Sequence, residues 1–217
     1  AQNGHTSVVK YLLEKQADFE YIASNGKTPL HTAIINNNVE AARLLIKAGA
    51  DPNVQIEGMN FILICAAKGL TEMVQVLVEN GVSVDTTDSD RNTPLIIASH
   101  QGQLETVKYL VSKGASLEMA DEDGETALFL ACNTQQVDIV SFLLSKGANV
   151  NATSDQKRTP LHVAAIKGSV EIAKILLSNN ANIEAITKGG DSPFTIACYF
   201  GNVEVAKFLL SKGANIN

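Results

Sequence analysis

The chain has 217 residues, 45% of them apolar, 5% aromatic and none Trp, with 17 Lys and Arg against 23 Asp and Glu for a net charge of −6. That apolar share is ample for a core, and the acidic balance argues against sequence-independent binding of nucleic acid, which needs clustered Lys and Arg. No apolar run approaches the roughly 20 residues that span a bilayer, and no signal peptide is visible.

In chain order, the first landmark is Thr28-Pro29-Leu30-His31, followed by Asn60-Phe61-Ile62-Leu63. From Thr93-Pro94 the step repeats every 33 residues, at Thr126-Ala127, Thr159-Pro160 and Ser192-Pro193. A period of this length means one supersecondary unit copied along the chain. Thr28, Thr93, Thr126, Thr159 and Ser192 read as hydroxyl N-caps, and four of the five precede Pro, which suits the first helical position. Asn60 can also cap, but without Pro, and its finger is one residue short, so distortion is expected in this copy. A short apolar helix follows each cap, ended by a turn with Gly69, Gly102, Gly168 or Gly201. A second helix opens with an acid that complements its dipole, at Glu40, Glu72, Glu105, Asp138, Glu171 and Glu204. It carries an apolar stripe and stops at Gly49, Gly81, Gly114, Gly147 or Gly213, with Asn180 substituting in the remaining copy. The polar stretch before the next cap suits a hairpin or long turn projecting from the helix pair.

With these residues in one register, the chain resembles the ankyrin-repeat family. Thr28-Pro29-Leu30-His31 and Thr159-Pro160-Leu161-His162 match its TPLH signature, and Gly147-Ala148-Asn149-Val150-Asn151 matches its closing motif. The resemblance implies an all-α solenoid of stacked helix–turn–helix units with protruding β-hairpin or turn fingers, in which fingers and first helices line a concave protein-binding face. The copies are placed at 1–22 (partial), 23–54, 55–87, 88–120, 121–153, 154–186 and 187–217, as one continuous array. The last second helix, from Val205 to Leu210, is as apolar as the internal ones, so further repeats or another covering element are expected there.

Chemistry-bearing residues do not converge. His31 and His162 occupy the signature position, where the family uses the imidazole to tie Thr and adjacent turns together, and no two His share a repeat. Cys65, Cys132 and Cys198 align with Ala in other copies and read as buried, reduced, small hydrophobes. Asp121 to Glu125 fails as an EF-hand loop, because the required ligand positions hold Met119 and Leu130. Asn151-Ala152-Thr153 reads as a chance sequon, and Ser99 beside His100 makes no dyad. No catalytic, metal or cofactor site is expected.

The functional signal lies at the positions seven and eight residues after each cap, which the resemblance places on the concave face. They read Ile35-Asn36, Ala67-Lys68, His100-Gln101, Asn133-Thr134, Ile166-Lys167 and Tyr199-Phe200, beside finger residues Glu57, Asp90, Asp123, Glu125, Arg158 and Asp191. Acid concentrates in the middle copies, Arg158 and Lys167 follow, and two adjacent aromatics close the series, as interface anchors do. The expected partner-binding set is Asp90, Asp123, Glu125, Arg158, Lys167, Tyr199 and Phe200. The expected function is a non-catalytic, cytoplasmic protein-binding scaffold without nucleic-acid binding or membrane insertion. The alternative is a regulatory or targeting module of a larger enzyme or channel.

Overall fold

The hydroxyl caps start the helices where the sequence places them. In the computed structural model, which describes residues 3–24, 26–53, 55–56 and 59–216, the side chains of Thr28, Thr93, Thr126, Thr159 and Ser192 each accept the backbone N–H three residues on. The chain then runs α1 (Thr6–Glu14), α2 (Pro29–Ile35), α3 (Val39–Lys47), β1 (Gln55–Ile56), β2 (Met59–Asn60), α4 (Phe61–Ala67), α5 (Thr71–Glu79), α6 (Pro94–His100), α7 (Leu104–Ser112), α8 (Ala127–Asn133), α9 (Val137–Ser145), α10 (Pro160–Lys167), α11 (Val170–Ser178), α12 (Pro193–Tyr199) and α13 (Val203–Ser211). The expected first-turn acids and left-handed glycines are all in place, as is left-handed Asn180.

The helices form two layers. Inner helices α4, α6, α8, α10 and α12 pack each on the next, and outer helices α1, α3, α5, α7, α9, α11 and α13 do the same behind them. Each inner helix offers one large and one small side chain to the stack. Leu30, Ile62, Leu95, Leu128 and Leu161 are fully buried two residues after their caps, and Ala33, Cys65, Ala98, Ala131, Ala164 and Ala197 are fully buried three residues later. Burying one such Leu or Ile contributes about 1.5–3 kcal/mol, against about 1 kcal/mol for a cap. Stacking therefore dominates the stability, and the caps set where each helix begins.

Polar links repeat with the same period. Asp85, Glu118, Asn151 and Glu184 each accept a backbone N–H of the following copy, from Ser116 (3.0 Å), Asn149 (2.8 Å), Asn182 (2.7 Å) and Asn215 (2.8 Å). On the other side, Gln103 Nε2 donates to the Ala67 carbonyl and Asn202 Nδ2 to those of Ala165 and Ile166. The carboxamide of Asn151 in the sequon is thus engaged by the next repeat.

Two expectations are corrected. Asn60 makes no side-chain cap bond. Its Nδ2 instead donates to Thr86 Oγ1 at 3.3 Å, while Asn60 pairs with Gln55 in the short antiparallel hairpin β1–β2. Cys65 and Cys132 are buried, but Cys198 is exposed, on a side of α12 against which no inner helix among the described residues packs. All three thiols are free. Burial pushes the Cys65 thiol up to about 12 and raises that of Cys132 as well, which keeps both protonated and unreactive.

Gly124 is the glycine that stacking requires. It is left-handed (φ +75°), and a Cβ there would lie 2.9 Å from the backbone nitrogen of Asp155 in the next finger. Gly190, the equivalent residue two copies later (φ +86°), has open space around its Cβ position. Gly190→Ala therefore incurs only the backbone term, about 1–2 kcal/mol, whereas Gly124→Ala adds a clash with backbone that cannot swing away. In urea titrations Gly124→Ala is expected to be the more destabilised of the two; equal losses would contradict the proposed closeness of the fingers.

Candidate functional site on the finger face

The fingers are closed by an oxygen-bearing side chain at one recurring position. Asp88 Oδ1 accepts the N–H groups of Asp90 and Asn92 (3.0 and 2.8 Å), and Asp121 Oδ1 those of Asp123 and Glu125 (3.1 and 2.8 Å). Ser154 Oγ accepts from Arg158 (3.3 Å), and Thr187 Oγ1 from Gly189 and Asp191 (both 3.2 Å). A short oxygen-bearing side chain closing its own turn is the reason such residues favour these positions. Successive fingers are then joined by the main chain: Glu122 N–H to Asp90 C=O (2.9 Å), Asp155 to Asp123 (2.8 Å) and Lys188 to Gln156 (3.0 Å).

The signature histidines brace this arrangement. The backbone N–H of Thr159 donates to His162 Nδ1 at 3.0 Å, which leaves Nε2 protonated and donating to the Asp191 carbonyl at 3.1 Å. His31 Nδ1 likewise accepts from the backbone of Thr28 at 3.2 Å, and its ring meets Phe61 edge-on with centroids 4.9 Å apart. Burial lowers the His162 pKa, outweighing the opposing hydrogen bonds to the carbonyls of Asp191 and Ala185. The neutral ring is the form that both of its hydrogen bonds need.

The structure gathers part of the expected binding set into one groove. Counting the β1–β2 hairpin as finger one, the segments 88–92, 121–125, 154–158 and 187–191 are fingers two to five; fingers four and five form the groove's walls, through Gln156 and Arg158 on one side and Thr187, Gly189 and Asp191 on the other. Ile166 and Ile196 line it from the inner helices, Tyr199 and Phe200 complete it, and its volume is about 390 Å³. The two aromatic rings meet edge-on with centroids 5.2 Å apart. Tyr199 is 85% and Phe200 52% exposed. Their exposure has different origins. Ile166, the counterpart of Tyr199, is half-buried under the next repeat, whereas Lys167, Gln101, Lys68 and Asn36, the counterparts of Phe200, are exposed within the array. Phe200 thus occupies a position open to solvent in nearly every copy, and is the better anchor.

Lys167 is exposed beside Ile166. Asp90, Asp123 and Glu125 lie outside this groove, on earlier fingers. Asp90 and Asp123 are exposed, Glu125 is half-buried, and Glu57 lies outside the described residues. A second groove of about 310 Å³ between fingers two and three is lined by Ile96, Ile97, His100, Gln101, Asp121 and others. Asp121, which the sequence offers only as part of a failed EF-hand loop, is the buried acid of its finger; the recurrence of an oxygen-bearing residue at 88, 121, 154 and 187 is the signal that marks it. Ser99 is buried and His100 exposed, so they form no dyad. Among the described residues, no three His, Cys, Asp or Glu side chains converge as metal ligands, and no helix is long and apolar enough to cross a membrane.

A more apolar hollow of about 280 Å³ lies at the opposite end, against Val9, Leu12 and Leu13 of α1, with Phe19 and Tyr21. Those α1 residues form the stripe that faces inner helices elsewhere in the array, so the hollow is stacking surface and not part of the finger face.

The chain belongs to the ankyrin-repeat family. A family model described as ankyrin repeats (3 copies) matches residues 1–56, 62–154 and 151–217. The chain is 32% identical over 99 residues to ankyrin repeat and SOCS box protein 3 of Bos taurus, covering 44% of this chain and 19% of that protein. It is 36% identical over 95 residues to the ankyrin repeat and KH domain-containing protein mask of Drosophila melanogaster, covering 42% of this chain and 2% of that protein. It is 36% identical over 70 residues to glycerophosphocholine phosphodiesterase gde1 of Schizosaccharomyces pombe, covering 31% of this chain and 6% of that protein. In each case the match spans less than a fifth of the relative's length. Ankyrin repeats are generally protein-interaction modules.

Glu125 supplies a test of the finger electrostatics. Partial burial, then the neighbouring carboxylates Asp121 and Asp123, push its pKa up from 4.5 to about 7, with Arg158 pulling the other way. The folded chain therefore holds this proton more tightly than the unfolded chain. The resulting stability is complete below about pH 4.5 and is lost as the pH rises through about 7. Glu125→Gln, which keeps the neutral shape, is expected to melt at a higher temperature than the parent at pH 8 and at the same temperature at pH 4. A parent that is the more stable at pH 8 would mean that Arg158 outweighs the other carboxylates.

Proposed function

We propose that this chain is a non-catalytic, cytoplasmic protein-binding module that takes its partner along the finger face, over the last three repeats. The carrying observation is the groove between fingers four and five, with Arg158 on one wall and the exposed Tyr199–Phe200 pair at its end. Exposed aromatics cost solvation while unoccupied and give large area at low entropy when covered, which is why binding energy concentrates on such residues. Lys167, Asp123, Glu125 and Asp90 extend the surface as rim charges, which chiefly set on-rate and salt dependence. The net charge of −6 and the four acids of finger three weigh against nucleic acid as the partner.

A second reading is supported by one observation. The relatives include a phosphodiesterase of which the match covers 6%. In that reading the array is a regulatory or targeting module of a larger enzyme or channel. Its contact surface would be the same, and the partner would be another part of the same protein or of its complex.

Affinity capture with the 217-residue chain, compared with the Tyr199→Ala/Phe200→Ala double variant, tests the site. Loss of true aromatic anchors weakens binding by roughly thirtyfold or more. The double variant is expected to lose the captured protein while keeping its melting temperature. Full capture by a stably folded double variant would place the partner elsewhere.

A further inference from the structure

The groove between fingers four and five has a charge opposite to that of the chain. Its walls and immediate neighbours carry Lys157, Arg158, Lys167 and Lys188 against the carboxylates of Asp155 and Asp191, while the whole chain stands at −6. None of these four cations takes part in an ion pair among the described residues. Finger three, one repeat earlier, has the reverse character, with Asp121, Glu122, Asp123 and Glu125. The basic patch is thus local and makes no direct ion pair, although Arg158 lies near enough to Glu125 to pull that carboxyl's pKa down.

Backbone conformation adds an independent observation. Lys157 is left-handed (φ +54°) at the finger position held by Gly26, Gly124 and Gly190 in other copies. A side chain in this conformation costs about 1–2 kcal/mol that Gly avoids. The only other non-glycine described at this position is also a cation, Arg91 (φ +65°). Such positions cluster at ligand contacts, while Asn37, Gln135 and Asn180 take the same conformation in the turns that end helices here.

The groove is also preformed. Lys188 N–H to Gln156 C=O joins its walls, and His162 Nε2 to Asp191 C=O ties the far wall to α10. With its walls joined at 3.0 Å and a volume of about 390 Å³, the groove suits an extended segment and not a helix, which with side chains is about 10–12 Å across.

We infer that this groove binds an extended acidic peptide segment of a partner protein, in which one or two carboxylates stand beside a large apolar residue. The carboxylates meet Arg158 and Lys157, and the apolar side chain packs on Ile166, Ile196 and Phe200. Asp191, on the opposite wall, accepts a hydrogen bond from the peptide and repels a second carboxylate there, which fixes the direction of the segment. This rests on the finger face being the binding face, and names the chemistry of its occupant.

Fluorescence anisotropy on the 217-residue chain with three labelled ten-residue peptides tests it. One peptide carries Asp-Glu next to Leu-Phe, the second Lys-Lys in place of the acids, and the third keeps the acids but has Ala-Ala in place of Leu-Phe. The first is expected to bind at least tenfold more tightly than either of the others. Arg158→Glu, Lys157→Glu and Phe200→Ala are each expected to weaken it at least tenfold at unchanged melting temperature, while Lys174→Glu on α11 leaves it unchanged. Because these side chains are exposed, their replacement does not disturb the stack. Equal or tighter binding of the basic peptide, no binding of any peptide, or indifference to Arg158→Glu would overturn the inference. Selection from a random peptide pool separates it from the broader reading. Selected basic peptides lost on Asp123→Lys would leave the finger face standing and remove the acidic occupant. Selected peptides indifferent to every finger-face substitution would remove both.

Discussion

Six small side chains set the spacing of the whole array. Ala33, Cys65, Ala98, Ala131, Ala164 and Ala197 occupy equivalent places on successive inner helices, and none has measurable exposure. A larger residue at any of them would force neighbouring helices apart, because a packed core does not absorb extra methylenes without strain. Close approach of the inner helices brings the fingers within hydrogen-bonding distance, so that the main chain of each finger donates to the one before it at 2.8–3.0 Å. Side-chain volume in the core thus dictates the geometry of a surface some distance away.

That surface is regular in its backbone and irregular in its side chains, and the division of labour follows from the physics. Residues that close the fingers or stack the helices answer to geometric demands repeated in every copy, so Asp88, Asp121, Ser154 and Thr187 do equivalent jobs with different chemistry. Residues such as Phe200, Arg158 and Lys157 answer to no such demand. The scaffold does not need an aromatic where other copies hold Lys or Gln, and it would accommodate Gly more easily than Lys157. Function is most economically sought among those departures, on a frame that holds them at fixed spacing.

Much of the frame was legible in the sequence, because caps, first-turn acids and left-handed glycines are local signals that repeat. What stayed hidden depended on neighbours. Asn60 reads as a capping residue from its own position, yet Thr86 and the hairpin with Gln55 draw it into other bonds. Cys198 aligns with buried counterparts, and its exposure follows from what packs on α12, which no alignment within the chain reveals. The acids of finger three look alike in sequence, but Asp121 folds inward to close the turn and Glu125 is left half-buried beside it, so only the structure separates a building residue from a titrating one. Tyr199 and Phe200 were visible as a pair of aromatics; that Arg158 shares their groove, and that Asp123 and Glu125 do not, required the stacking of the fingers.

The central claim is that the finger face, held in shape by the inner-helix stack, is where a partner protein docks. Hydrogen exchange of the backbone amides, measured on the chain alone and in complex with its captured partner, tests this most directly. The account predicts slowed exchange in residues 154–158, 187–191 and 199–200, with the outer helix Val170–Ser178 unchanged. Protection confined to the outer helices, with fingers four and five exchanging as in the free chain, would contradict it.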